Sequence, residues 1–210
     1  METFIPSLKK LNIAQIWYAT RALGPGLRSV IWVQGCIRHC PGCISPEWIP
    51  NVKANIFSID ELATILLHNS SIEGITFSGG EPMLQAEGLA SLIRIIRKKR
   101  DLNTLCFTGY TYKQLLCEPK DSPVHKLLAE LDVLIDGPYI AELNNNRGLR
   151  GSSNQNIYYL TERLKQYDLE NEARHVELHI QNGYSLMVGV PPKGILNMLD
   201  QIITKGGITK

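Results

Sequence analysis

Three of the five cysteines, Cys36, Cys40 and Cys43, lie in the short stretch Gln34-Gly-Cys-Ile-Arg-His-Cys-Pro-Gly-Cys-Ile44. Thiolates this close in sequence converge on one metal centre at little loop-closure cost, and as soft ligands they suit zinc or iron-sulfur chemistry. Their number narrows the choice. A structural zinc takes four ligands, and a cubane cluster held by protein alone takes four cysteines. Three thiolates on a [4Fe-4S] cluster leave one iron open, and an open iron can bind a substrate. The alternatives are a zinc site completed by His39, Cys106, Cys117 or a distant histidine, and three unligated thiols. The 3+2 spacing departs from the paired two-residue spacings of zinc ribbons, which favours the cluster.

The stretches around this loop alternate between strand and helix patterns. After the turn-rich Leu23-Gly-Pro-Gly-Leu-Arg28, Ser29-Val-Ile-Trp-Val33 reads as a buried first strand that feeds the cysteine loop. Pro46 and Pro50 keep the chain irregular until Ser58-Ile-Asp-Glu61, a capping box that opens a helix ending near Asn69. Gly74-Ile-Thr-Phe-Ser78 is a second strand running into Gly79-Gly80-Glu81-Pro82, and residues 84–99 form a helix with Leu89, Leu92, Ile93 and Ile96 on one face. Asn103-Thr-Leu-Cys-Phe107 is a third strand closed by Thr108-Gly-Tyr110; a short helix ends near Pro119, and Ser122-Pro123 caps another. The fourth strand, residues 131–135, ends in Asp136-Gly-Pro-Tyr139. Alternation of this kind predicts an α/β fold with a parallel sheet and right-handed crossovers, whose strand-end loops open on one edge and bring the cysteine loop, residues 79–82, 108–110 and 136–139 together.

Beyond residue 142 the pattern changes. A polar loop over residues 143–155 precedes a fifth strand at 156–160, and residues 161–171 read as a polar helix. His175-Val-Glu-Leu-His-Ile180 and Tyr184-Ser-Leu-Met-Val-Gly-Val190 flank Gln-Asn-Gly as an antiparallel hairpin, and residues 194–203 read as a closing amphipathic helix. The expected organisation is a core over residues 1–160 and an extension over 161–210 packed on the same domain, a size and apolar content (210 residues, 44%) that suit one core. No run of about 18 apolar residues predicts a membrane span. Met1-Glu-Thr-Phe-Ile-Pro6 lacks the basic and apolar segments of a secretory signal, and clustered, odd-numbered cysteines fit a reducing compartment, so a cytoplasmic protein is expected. The net charge of +2 gives no reason to expect nucleic acid, and Arg94, Arg97, Lys98, Lys99 and Arg100 read as the basic end of a helix. Cys106 and Cys117 read as core or helix residues, and His175 and His179 as structural residues sharing one strand face.

Cys36, Cys40 and Cys43 with their spacing, followed by Gly79-Gly80-Glu81-Pro82 after the next strand, resemble the radical S-adenosylmethionine enzymes. The resemblance implies a partial (β/α) barrel, here with a C-terminal hairpin and helix added. It also implies a [4Fe-4S] cluster on the three cysteines, with S-adenosylmethionine chelated at the open iron and reductively cleaved to a 5′-deoxyadenosyl radical. Gly79 and Gly80, lacking Cβ atoms, suit a close backbone approach, and Glu81 suits the ammonium group of the cofactor. Gly24-Pro-Gly-Leu-Arg28, Val33-Gln-Gly-Cys36, Pro46-Glu-Trp48, Thr108-Gly-Tyr110, Leu131-Asp-Val-Leu-Ile-Asp-Gly-Pro138 and Arg150-Gly-Ser-Ser-Asn-Gln155 resemble the activating proteins of anaerobic ribonucleotide reductases, over roughly residues 10–160. That likeness implies hydrogen abstraction from a glycine of a partner enzyme and a low-potential electron donor such as flavodoxin. It places Thr108 and Asp136 at the cofactor, and Arg147 and the loop from Gly151 to Gln155 near cofactor or partner. No catalytic side chain is expected beyond cluster and cofactor.

Three functions remain in view. The first is a glycyl-radical-enzyme activase, the second a radical enzyme acting on a small molecule or peptide. The third is a non-catalytic iron-sulfur or zinc module, which has no use for a cofactor-amine motif at residues 79–82.

Overall fold

A computed structural model of the chain describes residues 9–181, 184–195 and 198. The elements run β1 (Lys10–Thr20), β2 (Arg28–Val33), β3 (Asn55–Ser58), α1 (Ile59–His68), β4 (Gly74–Gly79), α2 (Ala86–Arg97), β5 (Asn103–Phe107), α3 (Tyr112–Leu116), α4 (Pro123–Leu128), β6 (Val133–Asp136), β7 (Asn156–Tyr159), β8 (Val176–Gln181) and β9 (Tyr184–Gly189). Seven strands make one sheet in the order β3-β1-β2-β4-β5-β6-β7, and β8 pairs with β9 in a separate antiparallel hairpin. The central four, β2, β4, β5 and β6, are parallel; β1, β3 and β7 join antiparallel at the flanks.

Every residue of β2 is buried, as an uninterrupted apolar run in a parallel sheet requires. Ile31 and Val33 face a core built with Leu62 and Leu66 of α1 and Leu89, Leu92 and Ile93 of α2. Val30 and Trp32 face the other way, into a core completed by Val188 of β9 and by Val190. The same division holds along β6, where Leu134 joins the helical side while Val133 and Ile135 meet Leu164 and Leu169. One face of the sheet is thus covered by helices and the other by the C-terminal segment. The helices start as their sequences dictate: Ser58 accepts from the Glu61 N–H at 3.2 Å, Thr111 and Gln114 form a reciprocal capping box, and Ser122 precedes a first-turn proline.

Four sequence expectations need correcting. The first strand is β1, ahead of residues 29–33, and its antiparallel pairing, with that of β3 and β7, makes the sheet mixed. Register shifts between Ile13 and Gln15 and between Trp17 and Thr20 break its alternation, which hides it from a period-two reading. Residues 82–85 are a 3-10 turn, so the helix expected from 84 begins at Ala86. Residues 161–171 form successive turns instead of a helix. Tyr159 explains this: its hydroxyl donates to the Tyr167 carbonyl at 2.6 Å and accepts from the Leu169 N–H at 3.2 Å, while Leu164 and Leu169 are buried beneath β5 and β6. Finally, His175 precedes β8, so it does not share a strand face with His179. The hairpin turn at 182–183, most of the closing helix and residues 1–8 lie outside the described residues. Among the described residues no helix is long and apolar enough to cross a membrane.

Candidate active site

The parallel strands deliver their following loops to one edge. Leaving β2, the chain is pinned by backbone bonds from Gln34 N to Asn12 O, Gly35 N to Trp48 O and Cys36 N to Ile49 O, each 2.9 Å, which fold residues 34–51 back against the sheet. Gln85 ties three segments at their ends. Its carbonyl accepts from the Asn12 N–H at 2.8 Å, and its amide donates to Asn12 O at 2.9 Å and Gln34 O at 3.2 Å. Its one sequence signal is a polar residue just ahead of an apolar-periodic helix, which does not by itself indicate burial.

Cys36, Cys40 and Cys43 are half-buried and free, and all three line one cavity of about 190 Å3. Burial pushes the Cys36 and Cys43 thiols above their ordinary value, against backbone N–H donors that lower it, Arg38 N standing 3.4 Å from the Cys36 sulfur. No group of three or more His, Cys, Asp or Glu side chains among the described residues closes on a single ion. Cys106 is buried under the helices, Cys117 is exposed at the end of α3, and His39, which does line the cavity, completes no such group. This donor set suits a multi-iron cluster better than a zinc ion.

Gly79, Gly80, Glu81 and Thr108 share the cavity with the cysteines, whereas Pro82 and Asp136 do not line it. The two glycines are needed where they stand. A Cβ on Gly79, at φ +102°, would come 2.5 Å from Val33 N, and one on Gly80 would come 2.2 Å from Gly35 O. The close approach they permit is therefore between the ends of β2 and β4. Gly80 N donates to Val33 O at 2.7 Å and Glu81 N to Gly35 O at 2.8 Å, locking the two loops together.

Glu81 is 1% exposed, and its carboxylate accepts from Met83 N at 3.0 Å, Thr108 Oγ1 at 2.8 Å and Gly109 N at 2.8 Å. Burial pushes it above the ordinary glutamate range in spite of these donors and of nearby Arg38. It joins the β4 loop to the β5 loop. Arg38, between the first two cysteines, adds a second tie, donating to Gly109 O at 2.9 Å with its guanidinium 4.4 Å from the Tyr110 ring centre. Asp136 does the same one strand further on, accepting from Tyr112 N at 2.5 Å and from Asn156 N and Nδ2 at 3.0 Å. It stands at the predicted strand end but holds backbone, and its neighbour Gly137 faces the cavity.

The remaining walls come from further along the chain. Trp32, Trp48 and Phe107 give an apolar side; Tyr139, Gly151 and Gln155 close another, and Gly189 and Val190 reach in from the end of the hairpin. Gln155 stiffens its loop by accepting from Gly151 N and donating to Gly137 O, both at 2.8 Å. Arg147 is elsewhere, paired with Asn171 at 2.9 Å. Tyr139 stands in the 136–139 loop expected at the site, whereas sequence reasoning missed Gly189 and Val190, since nothing in a hairpin pattern says which sheet face it will cover.

Residues 22–158 match the 4Fe-4S single cluster domain family. The anaerobic ribonucleoside-triphosphate reductase-activating protein of enterobacteria phage T4 is 26% identical over 163 residues, 75% of this chain and 100% of that protein. The protein of the same description from Vibrio cholerae is 31% identical over 161 residues, 72% of this chain and 99% of its own. A pyruvate formate-lyase-activating enzyme of Clostridium pasteurianum is 32% identical over 94 residues, 42% of this chain and 40% of its own.

Proposed function

Since the chain belongs to the 4Fe-4S single cluster domain family and, with it, to the radical S-adenosylmethionine activating enzymes, we propose that it activates a glycyl radical enzyme by taking hydrogen from a glycine of that partner. Its cofactors are a [4Fe-4S] cluster and S-adenosylmethionine. The observation that carries the reading is the meeting of Cys36, Cys40 and Cys43 with Gly79, Gly80 and Glu81 around one cavity.

In this reading Cys36, Cys40 and Cys43 would hold three irons of the cluster and leave one without a protein ligand, in the cavity that residues 79–81 also line. When bound, cluster and cofactor supply a one-electron cleavage of the cofactor's sulfonium and so the hydrogen-abstracting group. The chain's own residues position and enclose. The buried carboxylate of Glu81 keeps the β4 and β5 loops in register and presents a fixed negative field to the cofactor's ammonium group, in company with the Thr108 hydroxyl. Trp32, Trp48 and Phe107 exclude water from the reacting region. Asp136 acts one step back, by holding the loops that form the wall, and Pro82 opens the 3-10 turn that follows Glu81. The sheet is read as the partial barrel of such enzymes, residues 1–160 as its core and 161–210 as an extension on the same domain. A low-potential donor such as flavodoxin supplies the electron, and neither nucleic acid nor a membrane takes part; the setting is the cytoplasm.

One observation favours a second reading. Gly189 and Val190 enclose a side of the cavity, as a pocket for a small molecule or peptide would require. The two are separated by mixing the reconstituted protein with the anaerobic reductase subunit of the same cell, S-adenosylmethionine and a strong reductant. A glycine-centred radical signal is expected; cofactor cleavage with no such signal would transfer the assignment to the second reading.

A further inference from the structure

Among the described residues that line the cavity, Arg38 is the one Lys or Arg and Glu81 the one Asp or Glu. The two grip the same peptide from opposite ends. Gly109 N donates to Glu81 Oε2 at 2.8 Å, and Gly109 O accepts from Arg38 Nε at 2.9 Å and Nη2 at 2.5 Å. The absence of a side chain on Gly109 permits this, because a Cβ there would come 2.9 Å from Arg38 Cγ. The guanidinium also donates to Gln114 Oε1 at 3.4 Å and lies 4.4 Å from the Tyr110 ring centre. A half-buried, planar fork anchored in this way is a fixed charge, unlike the mobile ammonium of an exposed lysine. Its field reaches inward: burial raises the Glu81 carboxyl, and Arg38 is among the groups that draw it back.

Arg38 also stands between two of the three thiols. Its backbone N–H donates to Cys36 Sγ at 3.4 Å, and Cys40 follows two residues later. Three thiolates on an iron-sulfur cluster concentrate negative charge, and reduction adds one more. A fixed cation close to such a centre favours the reduced form. We infer that Arg38, clamped on the Gly109 carbonyl, raises the reduction potential of the cluster at Cys36, Cys40 and Cys43 and so lets a low-potential donor reduce it. The inference rests on those three cysteines carrying the cluster. One electron passes from that donor, [4Fe-4S]2+ becomes [4Fe-4S]+, and no bond is made or broken. Arg38 is thus a positioning residue, acting through the cluster and not on the substrate. Its clamp ties the charge to the same peptide that holds Glu81, so the cysteine loop and the residues 79–81 loop keep one relative placement.

The test is a redox titration of the full-length, anaerobically reconstituted protein, followed by the electron paramagnetic resonance signal of the reduced cluster. Arg38→Gln and Arg38→Met remove the charge and keep the backbone bond to Cys36; Arg38→Lys keeps the charge and loses the fork. Lys99→Gln, exposed beyond α2 at the opposite end of the sheet, is the control. The neutral variants are expected to retain about four iron per chain. They are expected to lower the reduced-to-oxidised ratio at a fixed potential about tenfold, a shift of about 59 mV for a one-electron couple. Arg38→Lys should recover most of that ratio, and the control should match the wild type. Neutral variants with the wild-type potential, or a lysine variant as low as they are, would overturn the inference. So would loss of the cluster from both neutral variants, which would make Arg38 a structural tie alone. A wild-type protein that loads no cluster would overturn the assignment of the cysteines, and the inference with it. A loaded protein that cleaves cofactor without a glycine-centred signal would overturn the activase reading alone.

Discussion

The two faces of the sheet are covered by different means. On one, α1, α2 and α4 follow their strands in regular crossovers and bury Leu62, Leu66, Leu89, Leu92 and Ile93 against β1, β2 and β4. On the other, the β8–β9 hairpin and the residue after it bury Val188 and Val190 against the opposite side of β2, and a turn-rich segment buries Leu164 and Leu169 against β5 and β6. The helical face is a scaffold whose form follows from local periodicity. The second face contributes residues to the cavity, as Gly189 and Val190 show. Shared chemistry can thus sit at the strand ends while the outer cover changes independently.

The largest effect expected falls on the strand-end loops, which both faces serve. Cys40→Ala should abolish cofactor cleavage and lower iron from about four per chain after anaerobic reconstitution; iron analysis and release of 5′-deoxyadenosine check both. Retained turnover would remove Cys40 from the ligands. Next, Glu81→Ala leaves Met83 N, Thr108 Oγ1 and Gly109 N without their buried acceptor, and should cost about 4 kcal/mol in denaturant unfolding of the cluster-free chain. A loss below about 1 kcal/mol would mean that water replaces the carboxylate readily.

Two truncations then compare the faces directly. Leu89→Ala, on the helical side, should cost about 3 kcal/mol, and Val188→Ala, on the hairpin side, about 2 kcal/mol, because fewer carbon atoms are removed from an equally buried site. If the faces share one domain, both shift a single transition. A separate early transition in Val188→Ala would break that view.

The smallest effect is acidic. Burial raises the Glu177 carboxyl, but hydrogen bonds from Thr20 Oγ1 at 2.7 Å, Arg21 N at 3.1 Å and His179 Nε2 at 3.0 Å outweigh it and hold the group below the ordinary glutamate range. A lowered folded value adds stability that is present above the ordinary value and lost as pH falls through the folded one. The hairpin, held to the end of β1 by this carboxylate, should therefore loosen before the helical face below about pH 4. Hydrogen exchange of β8 amides in the cluster-free chain follows it. Equal acid sensitivity in Glu177→Gln would exclude the carboxylate as the cause.

Legibility in the sequence divides along the same line. The cysteines, the helices and the four central strands follow from spacing, caps and apolar runs, all local signals. β1 was obscured by its bulges, and β3 by its brevity. Residues 161–171 carry helix-forming side chains but take their turns from the Tyr159 hydroxyl and from burial of Leu164 and Leu169, tertiary facts that propensity does not contain. At the site, Cys36, Cys40, Cys43, Gly79, Gly80, Glu81 and Thr108 were readable as a set. The wall from residues 189–190 was not, because it depends on which face the hairpin covers.

The contact between Gly80 and Gly35 limits how this chain can vary. Val33 pairs with Gly79, and the next two backbone bonds join Gly80 N to Val33 O and Glu81 N to Gly35 O. An extra residue between Val33 and Cys36 would break that ladder and carry the first thiol away from its companions, whereas Ile37, 58% exposed, has room for many replacements. Across related sequences, this stretch should accept changes of letter at Ile37 and changes of length scarcely at all.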